Sequence, residues 1–229
     1  MTSAIVLGGS RGIGKAISES LKSIEIDVFA ASKNDIDTSD LSSVKKFLEK
    51  HNQTDILVLN TGGPPPKQFS TITEDDWKLY HNQLFLGFCT ILQNIKINDG
   101  GYIFLISSNV IKEPNPKLII SSAYRAAFSE VFKILSKEYA GKNISCINIA
   151  PGPINTDRTK ELIENTQDMS YEEGSPTIPF SRDFTKGIKT IFLRDYVLNK
   201  RRLLHVLPYQ MKLFSEDELD QRYNAYFPS

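Results

Sequence analysis

A glycine-rich turn near the start of the chain constrains the fold more than any other feature. Gly8-Gly9-Ser10-Arg11-Gly12-Ile13-Gly14 directly follows the apolar run Ala4–Leu7 and opens a helical pattern. Glycines at such a strand-to-helix turn let backbone N–H groups approach an anion, and the positive end of the helix dipole adds to the attraction. We therefore predict that the turn binds the pyrophosphate of a dinucleotide through Gly8, Ser10, Arg11, Gly12, Ile13 and Gly14.

Two other interpretations of this turn need to be weighed. It could be a strand-to-helix connection that simply requires small residues. It also matches the pattern G-x-S-x-G, which would make Ser10 the nucleophile of a hydrolase. That pattern needs an oxyanion donor from an earlier loop, and only a short segment precedes Gly8; His205 is the only late candidate for a triad histidine. The dinucleotide site is the favoured interpretation.

Short apolar runs alternate with helical patterns along the chain, which predicts a doubly wound parallel α/β sheet with helices on both faces. The predicted strands are Ala4–Leu7, Asp27–Ala30, Ile56–Leu59, Tyr102–Ile106 and Ser145–Ile149, with a last one near Arg202–Leu207. The predicted helices are Gly12–Ser23, Leu41–His51, Glu74–Ile95 and Ile119–Ala140, and Ser39 and Thr73 are candidate caps for two of them. Ligands of such sheets bind at the carboxyl ends of the strands.

The region after the second strand is short. Ser32 to Asp37 are too few for a crossover helix, so a third strand in this region is expected to be very short. Beyond Thr156 the pattern weakens into polar sequence punctuated by prolines, and residues 157–193 are predicted to form a substrate-covering lid.

Composition limits the range of functions. A chain of 229 residues with 40% hydrophobic content suits one large α/β domain, and 27 basic against 27 acidic residues gives no sign of a nucleic-acid partner. Cys89 and Cys146 lack metal-like or redox spacing, and no apolar run approaches the roughly 18 residues of a membrane span. We expect a cytoplasmic protein without a metal that acts on small molecules and does not bind a membrane.

The end of the second strand predicts which dinucleotide is bound. An NAD site would present Asp or Glu to the ribose, whereas Ala30-Ala31-Ser32-Lys33 follow here. Arg11 and Lys33 can supply positive charge and Ser32 a hydroxyl group for a 2′-phosphate, so NADP(H) is favoured over NAD(H). Either basic residue could equally be an ordinary surface charge.

From about residue 3 to residue 158 the sequence resembles the short-chain dehydrogenase/reductase family, especially members like 3-oxoacyl-carrier-protein reductase. The glycine turn, Asn60-Thr61-Gly62-Gly63, Ile106-Ser107-Ser108 and the segment Asn148–Thr156 match family motifs in order. The resemblance implies a single Rossmann-type domain with Ser108 as the catalytic serine. It also implies that Asp37 contacts adenine, and that Asn60, Thr61, Gly62, Pro151, Gly152, Ile154 and Thr156 belong to the cofactor site.

The catalytic helix departs from the family pattern. Where the family has Y-x-x-x-K, this register gives Ser121 and Arg125, and Leu84 stands at the family's asparagine position after Trp77, with Asn82 shortly before it. A serine hydroxyl is a poor proton donor for the alkoxide that hydride transfer forms, and a guanidinium is effectively never deprotonated. Arg125 is therefore expected to bind the nicotinamide ribose. Tyr124, on the same helix, could replace the missing acid or could simply pack between helices.

Two functions remain open at this point. The favoured one is an NADP(H)-dependent oxidoreductase for a carbonyl or alcohol substrate, slow or atypical, with Ser108, Ser121, Tyr124 and Arg125 at its centre. The alternative is a dinucleotide-binding protein that has lost hydride transfer and acts as a sensor or structural partner.

Two further expectations concern surfaces. The Gly62-Gly63-Pro64-Pro65-Pro66 run is expected to form a stiff wall of the substrate pocket. The family pairs subunits through its two long helices, which implies a homodimer or a homotetramer, although ordinary core aromatics would look the same. The residues concerned are Trp77, Tyr80, Phe85, Phe88, Phe128, Val131 and Phe132.

Overall fold

In the part of the chain that the structure describes, six parallel strands form one sheet in the order β2-β1-β3-β4-β5-β6. The computed structural model describes residues 1–152 and the backbone of residues 204–206. The strands are β1 (Ser3–Leu7), β2 (Asp27–Ala31), β3 (Gln53–Leu59), β4 (Lys96–Ile106), β5 (Ser145–Ile149) and β6 (Leu204–Val206). Strand order reverses between β1 and β3, which creates the crevice where doubly wound folds bind ligands. The predicted fold class is confirmed.

Helices connect the strands as the periodicity predicts. They are α1 (Gly12–Lys22), α2 (Leu41–Lys50), α3 (Glu74–His81), α4 (Gly87–Asn94) and α5 (Ile119–Gly141). The predicted single helix Glu74–Ile95 is interrupted by a π-helical segment, Asn82–Leu86, which joins α3 to α4. Such segments shift the side chains that follow them and are frequent at functional sites.

The strands alternate their apolar side chains between two cores. One core takes Ile5, Leu57 and Leu105 together with residues of α2, α4 and α5, whereas the other takes Val6 and Val58 together with residues of α1. Because both faces of the sheet are covered, the strand sequences show continuous apolar runs rather than an alternation of apolar and polar residues.

The expected short third strand is absent. Between β2 and α2, residues 32–40 contain only turns and irregular backbone, and the chain passes directly into α2 and then β3. Within the described residues β2 is therefore an edge strand of the sheet. The segment is held by side chains instead of a ladder, since Ser39 and Ser32 bind the carboxylates of Asp37 and Asp35.

One of the two predicted caps is confirmed. Thr73 caps α3 in a capping box with Asp76. The cap of α2 is Asp40 rather than Ser39, because the Asp40 carboxylate accepts a hydrogen bond from the Ser42 N–H.

Part of the predicted subunit interface is wrong. Phe88, Phe128 and Phe132 are at most 2% exposed and belong to the core of one chain, so they are not available to a second subunit. Trp77, Tyr80, Phe85 and Val131 are partly exposed. An oligomer built on these four residues stays a prediction. No helix in the part of the chain that the structure describes is long and apolar enough to cross a membrane.

Candidate active site

The glycine turn lies where the ends of β1 and β3 meet. Gly8 has a φ of 59°, which favours glycine, and a Cβ at this position would come within 2.8 Å of the Asn60 Nδ2 atom. A Cβ on Gly14 would overlap the Gly8 carbonyl oxygen. The Asn60 amide donates a hydrogen bond to the Leu7 carbonyl oxygen at 3.1 Å and so fixes β3 to the turn. The backbone thus forms a cradle that side chains at 8 and 14 would fill.

The N-terminus of α1 lacks a capping side chain within the described residues. Arg11 stands at the N-cap with extended backbone, and no hydrogen bond from a described side chain caps the helix. Helix N-termini without a capping side chain leave N–H groups for an anion. Ser10 and Arg11 are exposed and line the cleft beside this helix end. The residues present therefore fit a dinucleotide pyrophosphate.

The turn after β2 differs in detail from the expectation. Ser32 does not line the cleft, because its N–H and hydroxyl group donate hydrogen bonds to the Asp35 carboxylate at 2.8 and 2.6 Å. Lys33 does line it, but its ammonium lies 3.3 Å from the Asp37 carboxylate. Asp37 is desolvated, yet hydrogen bonds from Ser39 and the charge of Lys33 hold its pKa below the usual value. Asp37 lines the cleft as an ionised group.

The loop after β3 is held from two sides. Gln83 donates hydrogen bonds to the Thr61 hydroxyl oxygen at 3.3 Å and to the Gly62 carbonyl oxygen at 2.9 Å. From the other side, the Arg125 Nη2 atom donates to the Thr61 carbonyl oxygen at 3.3 Å. Sequence reasoning missed Gln83, which lies in the π-helical segment and lines the cleft. A polar side chain one residue before the family's asparagine position was the only signal.

Three of the four predicted catalytic residues line one cleft of about 750 Å³. Ser108 follows β4 and caps a short 3-10 turn, where its hydroxyl group donates to the Asn109 side-chain oxygen at 3.3 Å. Ser121 and Arg125 lie one turn apart on α5, and the Arg125 Nε atom donates to the Ser121 hydroxyl oxygen at 3.2 Å. The Arg125 Nη1 atom also donates to the carbonyl oxygens of Ile106 and Ser107, so the guanidinium links α5 to the ends of β3 and β4.

Tyr124 lies outside this cleft. Its hydroxyl group donates a hydrogen bond to the Trp77 carbonyl oxygen at 3.1 Å, and its ring packs edge-on against the Trp77 ring. Burial raises the pKa of the Tyr124 phenol, which is opposite to the lowered pKa that would suit a proton donor in carbonyl reduction. The geometry thus favours packing between α3 and α5 and contradicts the expectation that Tyr124 reaches the cleft.

A buried polar chain supports the cleft from below. The Ser107 hydroxyl donates to the Asn148 side-chain oxygen at 2.6 Å, and the Asn148 amide donates to the Ser129 hydroxyl oxygen at 3.3 Å. The Ser129 hydroxyl in turn donates to the Arg125 carbonyl oxygen at 2.7 Å. Asn148 is 1% exposed, so its polar atoms depend on these partners. The chain connects β4, β5 and α5 directly beneath Ser108 and Arg125.

The predicted proline wall is fixed at its carboxyl end. Pro64 lines the cleft, and after the three prolines Lys67 pairs in parallel with Leu118. The Lys67 ammonium lies 2.6 Å from the Asp76 carboxylate, and this hydrogen bond, together with those from the Thr73 N–H and hydroxyl group, lowers the Asp76 pKa to about 2. The segment is thereby fixed to both α3 and the start of α5.

The remaining predicted positions divide into two groups. Those that line the cleft with the residues above are Gly8, Gly12, Ile13, Asn60, Thr61, Gly62, Pro151 and Gly152. Ile154, Thr156 and the lid at 157–193 lie outside the described residues.

The interpretation of Ser10 as a hydrolase nucleophile requires a nearby histidine, and the described residues do not supply one in the cleft. His51 stacks between Phe29 and Phe47, and His81 packs against Phe85. Neither histidine lines the cleft. The side chain of His205 lies outside the described residues.

Comparison with known proteins decides the family. A family model described as short chain dehydrogenase matches residues 35–167, more than half of the chain. The chain belongs to the short-chain dehydrogenase/reductase family. Among its relatives, the 3-oxoacyl-acyl-carrier-protein reductase FabG of Chlamydia pneumoniae is 30% identical over 210 residues, covering 78% of this chain and 82% of the relative. The NADPH-dependent reductase BacG of Bacillus subtilis is 27% identical and covers 71% and 74%.

Solved structures of this family share the fold. A small-chain dehydrogenase in complex with NADPH has a TM-score of 0.71 at 23% identity and covers 90% of this chain and 96% of its own. A short chain dehydrogenase family protein from Francisella tularensis has a TM-score of 0.75 at 17% identity and covers 90% and 97%. As a member of the family, the short-chain dehydrogenase described here is an oxidoreductase with the NAD(P)-binding fold.

Proposed function

We propose that this short-chain dehydrogenase uses NADP(H) in preference to NAD(H) and interconverts a carbonyl compound and its alcohol through an altered active site. One observation carries the proposal. A single cleft runs from the uncapped N-terminus of α1 to Ser108, Ser121 and Arg125 at the ends of β4 and α5. Cofactor and substrate groups would therefore meet at one edge of the sheet, which proximity-driven hydride transfer requires.

Arg11 is the principal argument for the 2′-phosphate. It is exposed, lines the cleft, and forms no ion pair with any carboxylate of the described residues. Lys33 is a weaker candidate because Asp37 already accepts its charge. The Asp35 carboxylate, turned back onto Ser32, is not placed to accept a ribose hydroxyl as the acidic residue of an NAD site does.

The chain's own residues would act on the substrate carbonyl as follows. The nicotinamide, when bound, supplies or accepts the hydride. The Ser108 and Ser121 hydroxyl groups would bind the carbonyl oxygen, and the Arg125 charge would stabilise the alkoxide that develops there. Because Tyr124 points to Trp77, no phenol among the described residues lines the cleft. A positioned acid contributes roughly 10²–10⁴-fold, so we expect slow turnover.

Titration of the protein with NADPH and NADH, followed by nicotinamide fluorescence, tests the cofactor part. Arg11→Ala should weaken NADPH binding more than NADH binding, and Lys33→Ala should do so to a smaller degree. Lys22→Ala is the matched control, because Lys22 is exposed at the far end of α1. Equal losses for both nucleotides would contradict the preference.

A carbonyl screen that follows the absorbance of the reduced nicotinamide tests the reaction. We expect turnover that falls in Ser108→Ala and Ser121→Ala. Absence of nucleotide binding would overturn the whole proposal. Binding of nucleotide without turnover of any carbonyl or alcohol would instead favour a sensor or structural protein, which the loss of the usual tyrosine makes a specific alternative.

A further inference from the structure

The charge of Arg125 lacks an anionic partner among the described residues. Within the described residues, its hydrogen bonds go to four neutral oxygen atoms, those of Ser121, Ile106, Ser107 and Thr61, at 3.2 to 3.4 Å. All are longer than the roughly 2.9–3.0 Å that N–H···O bonds prefer. They fix the plane of the guanidinium but compensate its charge only weakly.

A half-buried guanidinium without a carboxylate partner is unfavourable, because burial removes part of the hydration of its charge. The same burial lowers the Arg125 pKa to about 10, which still leaves the group positive at neutral pH. An anion that enters the cleft would relieve this cost and would form a charge-assisted hydrogen bond. The four hydrogen bonds use four of the five N–H groups of a guanidinium, which leaves one on Nη2 for such a ligand.

The cleft gives access to this group. Arg125 lines it together with Ser121 and Gly63, and a Cβ at position 63 would lie 3.6 Å from Nη2 and 3.9 Å from the Ser121 hydroxyl oxygen. Glycine at 63 and a short side chain at 121 keep the space beside the guanidinium free of bulk. Among the described residues, the carboxylates that line the cleft are those of Asp37 and Glu113, and neither forms an ion pair with Arg125.

The basic groups of the cleft are thus separated by location. Arg11 and Lys33 follow β1 and β2, beside the glycine turn, whereas Arg125 lies where Ser108 and Ser121 would bind the reacting carbonyl. An anion at Arg125 would therefore belong to the substrate rather than to the cofactor phosphates.

Building on the proposed function, we propose that the substrate is a 2-oxo acid whose carboxylate binds Arg125 beside the carbonyl held by Ser108 and Ser121. Because the carboxylate and the carbonyl group of a 2-oxo acid are adjacent, one guanidinium could bind the carboxylate in the ground state and stabilise the alkoxide that develops during reduction. In the reduction, the carbonyl carbon accepts hydride from the reduced nicotinamide and the oxygen accepts a proton from solvent. The products are a 2-hydroxy acid and the oxidised nicotinamide.

The test uses straight-chain 2-oxo acids of increasing length, each beside its methyl ester, with the protein saturated with NADPH or NADH. The ester removes the negative charge and keeps the ketone. We expect kcat/KM to be at least about tenfold higher for the acid than for the ester in at least one pair, as one charge-assisted hydrogen bond predicts. Equal values for acid and ester in every pair, or turnover of neither, would overturn the proposal.

Variants assign the preference to one residue. Arg125→Gln should abolish the acid-over-ester ratio measured at saturating nucleotide. It should also weaken nucleotide binding, because it removes the hydrogen bond to the Thr61 carbonyl oxygen. Lys133→Gln, which removes a charge from the exposed face of the same helix, should change neither. If Arg125→Gln does not fold by circular dichroism, Arg125→Lys keeps the charge without the fork and should retain a reduced ratio. If the variant that folds keeps the full wild-type acid-over-ester ratio, the proposed role of Arg125 is refuted. The same holds if the variant loses cofactor affinity while this ratio stays unchanged.

The two proposals fail differently. If the nucleotide does not bind, the proposed function itself fails. If the nucleotide binds and neutral ketones are reduced as well as 2-oxo acids, only the substrate class is wrong.

Discussion

Gln83 offers the sharpest test of how the loop after β3, the proposed cofactor-binding loop, is held. Gln83→Ala removes hydrogen bonds of 2.9 Å to the Gly62 carbonyl oxygen and 3.3 Å to the Thr61 hydroxyl oxygen. A net hydrogen bond contributes about 1 kcal/mol, and the longer one contributes less, so the loop should lose about 1–1.5 kcal/mol of ordering free energy. This corresponds to roughly five- to tenfold weaker binding of the nicotinamide nucleotide.

The assay is fluorescence titration with NADPH, together with the melting temperature of the free protein. Gln93→Ala is the matched control, because Gln93 is an exposed glutamine of α4. The control should leave the dissociation constant unchanged. If Gln83→Ala binds NADPH as tightly as the wild type, or if both variants weaken binding equally, the loop does not depend on this side chain and the reasoning is refuted.

Three more predictions follow from single contacts. Tyr124→Phe should lower unfolding free energy by about 0.5–1.5 kcal/mol through loss of its bond to Trp77 and leave kcat within twofold of wild type; abolished turnover would show that Tyr124 supplies the proton after all. Gly14→Ala should abolish nucleotide binding and lower the melting temperature, since its Cβ would overlap the Gly8 carbonyl oxygen; wild-type affinity in titration would contradict the cradle. The folded-state pKa of Asp76, about 2, lies below the ordinary value of 3.8 for an aspartate, so its contribution to stability is present above pH 3.8 and lost as the pH falls through 2. The urea midpoint of Asp76→Asn should therefore fall less steeply between those values than that of the wild type.

Local rules explain why most of the sheet could be predicted. Ile56–Leu59 of β3 are buried on both faces, so the sequence there carries an unbroken apolar signal. At Gly8 the φ of 59° and the close approach of Asn60 together favour glycine. These local rules could not predict that the segment between β2 and α2 contains no strand. Whether residues 32–40 pair with a neighbour or fold on their own serines and aspartates depends on contacts that leave no periodic pattern.

The errors at the site have a geometric origin. Tyr124 follows Ser121 by three residues, which places the two near one another on a helix, but the packing of α3 against α5 turns Tyr124 toward Trp77. Gln83 was missed because a 3.6-residue period assumes one continuous helix. The π-helical segment changes the register, and this side chain then reaches the cleft.

Arg125 bears both on the chemistry at the substrate and on the architecture of the cleft. Its guanidinium contacts the loop after β3, the end of β4 and Ser121, and its carbonyl oxygen ends the buried chain from Ser107 through Asn148 and Ser129. A lysine at this position has one ammonium and lacks the planar fork, so it could not hold these three elements in the same way. Ser121, by contrast, contributes one hydroxyl group to the cleft. Replacement of Ser121 therefore tests chemistry at the substrate, whereas replacement of Arg125 tests both the charge and the architecture of the cleft floor. If the two variants changed kcat/KM alike, with cofactor affinity and melting temperature unchanged in both, the guanidinium would act through its charge rather than as a structural link.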